Sequence, residues 1–306
     1  MQSTNSIFLI KPKSFGFNKQ TSVSNSFQSK LKITDKEINK KVDREFNQMA
    51  NTLIKNGIEV LIIEDSEEPK KPDAIFPNNW ISTHQQGVII LYPMMAKNRR
   101  VERRGDIVTI LKKKYKVKSV LDLSVFENEN KFLEGTGSVI LDRVFKKAYA
   151  CLSPRTNKEL FKEYCQHLGY EAIYFNAVDE NRKKIYHTNV MMTLGTHFAV
   201  VCLEAIQSKF KRRLIIEKLQ ESNREVIEIS QDQTKHFAGN MLELKNSKNE
   251  ILIVMSRSAL SVLDAKQRKT LKKHGKLLPI NIKTIETIGG GSVRCMIAEN
   301  FLPQKR

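Results

Sequence analysis

A pattern that recurs about every 50 residues constrains this chain more than any single motif. Five short segments each open on a small or polar residue and run into an apolar stretch. They are NNWIST from Asn78, LEGTGSVIL from Leu133, YHTNVMMTL from Tyr186, HFAGNMLEL from His236 and GGGSVRCMI from Gly289. With Asn79, Gly137, Asn189, Asn240 and Ser292 in register, the spacings are 58, 52, 51 and 52 residues. Each segment is followed by a β-branched run, a helical stretch and a further apolar run. The second unit continues through AYACL, a helix from Ser153 to His167 closed by Gly169, and YEAIYF. The others place helices over about 98–115, 206–221 and 258–273. The N-terminal portion supplies IFLIK, a helix opened by Thr34 with Glu37 as a capping box and stopped at Gly57, and IEVLIIE.

Each unit thus reads strand, strand, helix, strand, and the first is split between the two ends of the chain. Alternating strands and helices argue for an α/β fold. Units of this size cannot bury their own apolar faces, so five of them predict a closed ring with the motif strands at its centre. The expected organisation is one domain over residues 1–306. Two doubly wound domains would explain the alternation but not the regular recurrence.

Composition matters chiefly for what it excludes. Hydrophobic residues make up 40% of the chain, which suits a globular core and not a disordered or fibrous chain. The apolar run Ile7–Ile10 is too short for a membrane span or signal-peptide core. Four Cys do not form a disulfide framework, so a cytoplasmic chain with free thiols is expected. The formal charge of +19 invites a nucleic-acid reading. Yet the basic residues are scattered, as at Lys112–Lys114, Lys146–Lys147, Lys183–Lys184, Arg212–Arg213 and Lys272–Lys273, with no RNP, zinc-finger or phosphate-loop motif beside them. They read as solvated helix faces, and no nucleic-acid or membrane partner is expected.

Segments converging on one axis would share a pocket, and their polar residues include Asn79, Glu134, His187, Asn189, Asn240 and Cys295. Thiol, imidazole and carboxylate together make a nucleophilic site in which the carboxylate orients the His or holds the substrate. Cys295 follows three glycines, Gly289–Gly291, that allow close backbone approach to a ligand. A Cys in a short apolar run is equally consistent with a small buried side chain, the reading preferred for Cys151, Cys165 and Cys202. Glu134 is a lone acid among apolar residues and glycines, where an unpaired carboxylate would be costly. His187 is preferred over His84, His167, His197, His236 and His274 by its place in the repeat. Arg99, Arg100, Arg103 and Arg104 place Arg99 and Arg103 on one helical face, where a planar fork can clamp a substrate carboxylate; Glu102 is their internal partner. No Cys or His pair has zinc spacing, and neither a metal nor a cofactor is expected.

PDAIFPNNW (from Pro72), NRRVERR, LEGTGSVILDR, YACLSPRT, YHTNVMM, HFAGNMLEL and GGGSVRCM, with FGFNKQTSVSNSFQ (from Phe15), resemble the guanidine-modifying enzymes of the pentein superfamily. They are most similar to the arginine-deiminase-related citrulline-utilisation hydrolases, over residues 8–302. The resemblance implies a five-bladed α/β propeller of pseudo-fivefold ββαβ repeats. It further implies a hydrolase acting on non-peptide C–N bonds through a covalent Cys295 intermediate, with His187 as acid/base and Glu134 holding substrate nitrogens. Asn79, Asn189, Arg99, Arg103, Asn18 and Gly291 become substrate-binding candidates, and the loop from Asn18 to Gln28 a lid. Related deiminases carry Asp where this chain has Asn79, and many carry a second near Asn189. Asn suits a neutral ureido group better than a guanidinium, which favours citrulline. An arginine or agmatine deiminase-like activity is the nearer alternative, and a non-catalytic ribosome-binding pentein protein the other. The expected partner is a small amino-acid substrate, with a homodimer among the expected assemblies.

Overall fold

The computed structural model describes residues 1–305. Its strands form five separate three-stranded sheets. The first comprises β1 (Ser6–Lys11), β2 (Glu59–Glu64) and β15 (Ala298–Glu299), joining the two ends of the chain. The next two comprise β3 (Ile81–His84), β4 (Val88–Leu91) and β5 (Ser119–Asp122), then β6 (Val139–Asp142), β7 (Lys147–Cys151) and β8 (Glu171–Phe175). The last two hold β9 (Met192–Leu194), β10 (Phe198–Val201) and β11 (Glu225–Glu228), then β12 (Leu242–Lys245), β13 (Ile251–Ser256) and β14 (Lys276–Ile280). In every sheet the middle strand runs antiparallel to one neighbour and parallel to the other. The parallel step needs a crossover, and that is where the helices fall.

Neighbouring sheets touch through their first strands, β6 on β9, β9 on β12 and β15 on β3. The turn at 135–138 packs on that at 77–79, and the turn at 293–296 meets both β13 and 77–79. These contacts lead from each sheet to the next and back to the start. Burial follows the same gradient: β3, β6 and β9 are buried throughout, while β5 and β11 begin and end exposed. The fold is therefore the pseudo-fivefold α/β arrangement expected of the repeat. The register of the repeat drifts in the last unit. Strands open two residues after Asn79, Gly137 and Asn240, three after Asn189, but six after Ser292.

Local signals set most helix ends. Asp35–Lys55 starts at Thr34, whose side chain accepts from the Glu37 N–H while Glu37 answers the Thr34 N–H. Gly169, at φ 69°, closes Lys158–Leu168. Three expectations are corrected. The helix assigned to Ser153 begins instead at Lys158, capped by Asn157, and residues 153–156 form a turn. The stretch 258–273 breaks into Arg257–Val262 and Ala265–His274, because Asp264 caps a new helix. The stretch 98–115 is a 3₁₀ turn, Lys97–Glu102, followed by a separate helix, Gly105–Lys114. Arg99 and Arg103 therefore do not share a helical face.

The four thiols are free and buried; burial lifts Cys151 and Cys165 to about 12, as befits core side chains. Of the paired basic residues, Lys112–Lys114, Lys146, Lys183–Lys184, Arg213 and Lys272–Lys273 are exposed. Two depart from this: Arg212 is half-buried, and Lys147 is buried against the Lys218 carbonyl, Glu221 and Ser222. No helix among the described residues is long and apolar enough to cross a membrane. Thr34→Ala should lower stability by about 1 kcal/mol, because the Glu37 N–H loses its acceptor; a shift in the urea midpoint at constant slope measures it.

Candidate active site

The motif turns meet around a small cavity. Its walls include Asp73, Phe76, Asn79, Arg99, Arg155, Tyr186, His187, Cys295 and Gly289–Gly291, and Thr21 and Asn25 of the N-terminal loop close it. Among the described residues no group of three or more His, Cys, Asp or Glu is placed to hold a metal.

Cys295 sits on a single helical turn, Val293–Met296, its N–H donating to Ser292 O at 2.9 Å. Glu286 anchors that turn by accepting from Ser292 Oγ at 2.7 Å. The preceding glycines bend sharply, with Gly290 at φ 61°, and its carbonyl accepts from Tyr186 Oη at 2.6 Å. Arg294 points away from the thiol and pairs with Glu299 at 2.7 Å. Two side-chain amides face the sulfur: Asn189 Nδ2 and Asn240 Nδ2 each lie 3.4 Å from Cys295 Sγ. Burial pushes the thiol up, and the Ser292 backbone, the two amides and Arg294 only partly oppose it.

His187 Nε2 lies 2.8 Å from Glu134 Oε2. Burial would raise the Glu134 pKa, but Arg155 and His187 outweigh it and hold the carboxyl at about 2. An ionised carboxylate only accepts, so the proton sits on Nε2 and Nδ1 is left with its lone pair. Burial dominates at His187 and lowers it to about 4, against the pull of Glu134. Glu134 is fully buried, also accepts from the Met95 N–H at 3.0 Å, and is not part of the cavity wall. It is thus placed to hold His187, and the expectation that it binds substrate nitrogens is corrected.

Asn79 lines the cavity, but its Oδ1 is taken by Arg99 Nη1 at 2.8 Å and its Nδ2 donates to Asn78 Oδ1 at 3.1 Å. Arg99 is itself bound in two places by Glu102, at 2.9 and 2.8 Å, and packs 3.7 Å from Asp73. Burial works against its charge, while Glu102 and Asp73 hold the guanidinium protonated. Arg103 is corrected outright: it pairs with Glu127 at 2.5 Å and reaches no part of the cavity wall. Asn189 also departs from expectation, since its amide meets Cys295 and not the cavity. Gly291 does line the wall beside Phe76. Asn18 reaches it indirectly, donating to Asp73 Oδ2 at 2.8 Å.

Two residues were overlooked within motifs already quoted. Asp73 is buried in the cavity wall, and while Oδ2 accepts from Asn18 and Thr21, Oδ1 has no partner among the described residues. The reasoning that singled out Glu134, a lone acid in an apolar setting, applies to it equally. Arg155 donates to the Thr21 carbonyl at 2.8 Å, to Ser24 Oγ at 2.8 and 2.9 Å, and to Glu134 at 3.5 Å. No spacing rule marks it, because its position depends on the turn at 153–156.

Both titrating groups predict loss of stability in acid. The lowered His187 makes the unfolded chain the better proton acceptor as pH falls from about 6.5 towards 4, and Glu134 adds a second loss from about 4.5 towards 2. Melting temperatures across this range should fall less steeply in His187→Asn. Gly137 offers a tighter test. A Cβ there would lie 2.5 Å from Asn79 Nδ2 and 2.8 Å from His187 Nδ1. Gly137→Ala should therefore reduce turnover at least about tenfold while the fold is retained, read from kcat beside circular dichroism.

Relatives share this architecture. No curated protein matches the sequence. A cysteine variant of the N-terminal domain of ArgZ, bound to substrate and described as an arginine dihydrolase from the ornithine–ammonia cycle in Cyanobacteria, superposes with a TM-score of 0.74. It is 16% identical, over 97% of this chain and 98% of that domain. A cysteine variant of AgrE in binary complex with L-arginine gives a TM-score of 0.75 at 16% identity, over 98% of this chain but only 40% of that one. The chain thus spans about two fifths of full-length AgrE and ArgZ. A dimethylarginine dimethylaminohydrolase adduct with 4-chloro-2-hydroxymethylpyridine gives 0.66 at 14% identity, over 98% of this chain and all of that one. A family model described as N,N dimethylarginine dimethylhydrolase, eukaryotic, matches residues 11–302. The chain belongs to that family of cysteine-dependent hydrolases, within the pentein guanidine-modifying superfamily.

Proposed function

We propose that this protein hydrolyses a C–N bond at the guanidino or ureido carbon of a free amino acid, with citrulline as the favoured substrate. The observation that carries the reading is the pairing of Cys295 and a Glu134-held His187 on one cavity wall with Asp73 and Asn79. Arg99 consumes the Asn79 carbonyl and so turns the amide nitrogen to the remaining space, leaving one N–H to donate. A ureido oxygen accepts that hydrogen, whereas a guanidinium has no acceptor to offer. Asp73 Oδ1, unpaired among the described residues, accepts a substrate N–H.

In this scheme the sulfur of Cys295 attacks the central carbon, and its proton passes through His187 Nδ1 to the departing nitrogen. Ammonia leaves and a thiocarbamate remains on Cys295. His187 then takes a proton from water, whose oxygen adds to the carbon. The C–S bond breaks and the thiol is reprotonated. From citrulline the product is a carbamate, which loses carbon dioxide to leave the diamino acid. From a guanidine the intermediate on Cys295 is an S-alkylthiouronium, which retains one terminal nitrogen, and the product is the ureido compound.

Arginine is the second reading. Asp73 favours it, since a carboxylate oxygen without a partner suits a cation, and the similar ArgZ and AgrE structures hold arginine or act on it. Release of ammonia from citrulline, arginine and agmatine, or of dimethylamine from N,N-dimethylarginine, decides between them. Citrulline should give the highest kcat/KM, and turnover of arginine alone would overturn the preference. Cys295→Ala should lose at least about a thousandfold in kcat on any substrate with an unchanged melting temperature.

A further inference from the structure

Asn189 and Asn240 occupy corresponding places in consecutive repeats, each just ahead of the first strand of its sheet, β9 and β12. Both were expected among the pocket-lining polar residues. Instead the ring brings them onto the sulfur, which the turn before β15 supplies. Asn240 cannot turn round: its Oδ1 accepts from the Arg294 N–H at 3.0 Å, and its Nδ2 also donates to Asn189 O at 2.8 Å. Its second N–H is thereby committed to Sγ. Asn189 spends its amide nitrogen on Sγ, and its buried Oδ1 has no partner among the described residues. An orphaned acceptor costs folding free energy. That cost accompanies an amide nitrogen held on Cys295 Sγ, which points to a role at the sulfur.

We propose that Asn189 and Asn240 form a paired-amide cradle that holds the Cys295 sulfur as a thiolate at the moment of attack. They are positioning residues for the nucleophile and do not bind the substrate. Resting on the reading of Cys295 as nucleophile, the inference adds how a buried sulfur is made to attack. A neutral thiol accepts hydrogen bonds weakly, while a thiolate accepts them strongly, so two fixed donors favour the charged form over the neutral one. Burial drives the thiol the other way, and both amides oppose it. The charged and titratable groups around the sulfur already have partners or line the shared cavity. Arg294 is paired with Glu299, Tyr186 Oη is bonded to Gly290 O, and His187, Asp73, Arg99 and Arg155 line the common cavity.

Replacing Asn189 by Leu exchanges one neutral side chain for another of similar size, so those charges stay as they are. The test follows the rate of Cys295 alkylation by iodoacetamide against pH, read peptide by peptide by mass spectrometry so that Cys151, Cys165 and Cys202 do not contribute. The midpoint should rise by about one pH unit in Asn189→Leu and by more in Asn189→Asp, whose carboxylate opposes the thiolate. Asn189→Ser, with a donor hydroxyl, should fall between Leu and the parent. It also serves as the deciding variant if Leu lowers the melting temperature. With a turned-over substrate, kcat should drop about tenfold with KM within about twofold. An unchanged midpoint, or a rise in KM at constant kcat, would overturn the cradle and return Asn189 to the substrate. Alkylation needs no substrate. A shifted midpoint in a protein that turns over none of the four compounds would sink the proposed activity and leave the cradle standing.

Discussion

The Glu134 carboxylate is the interaction on which the site depends. It has no exposure, and an ion so placed survives only if its surroundings replace water. Three partners do so, each from a different part of the chain: the Met95 N–H, Arg155 and His187. The arrangement works in both directions. The partners keep Glu134 ionised, and the ionised carboxylate fixes the tautomer of His187 and so decides which ring nitrogen keeps a lone pair. Removing any one partner leaves a buried charge short of compensation.

Arg155 carries that dependence outward. Its guanidinium reaches Glu134 on one side and Thr21 and Ser24 of the N-terminal loop on the other, with the ring of Tyr186 beneath it. The same loop reaches Asp73 through Asn18 and Thr21, and the glycine turn through Asn25 and Gln28. Cavity wall, the Cys295 turn and the Glu134–His187 pair are thus tied to one strap. Asn79 is held from behind by the Arg99–Glu102 pair, so the hydrogen-bonding character it presents to the cavity is set by two residues that serve as its scaffold.

What was legible beforehand followed from local chemistry repeated often enough to be seen. The Thr34–Glu37 box and the Gly169 stop each need only a few neighbouring residues, and both ends fall where expected. The five-unit pattern predicted the ring because an apolar period survives without knowledge of contacts. The failures share one cause. Ser153–Pro154 looks like a helix start, but Asn157 caps better; Asp264 interrupts a helix that periodicity alone would continue. The turn after Glu102 separates Arg99 from Arg103, so a spacing argument valid on a helix has no force there. Asp73 was discoverable by the reasoning applied to Glu134, whereas Arg155 was not.

The sequence by itself determined the α/β class, the fivefold recurrence, the helix caps and the short set of groups able to do chemistry, since these depend on residue type and near neighbours. Tertiary structure alone decided their partners. Asn189 faces a sulfur 106 positions away, Arg103 is spent on Glu127, and Glu134 holds an imidazole where a substrate nitrogen was expected. A hydrogen bond is made or lost over a few tenths of an ångström. No spacing in a linear chain sets distances that fine; the packing of five sheets around a common centre does.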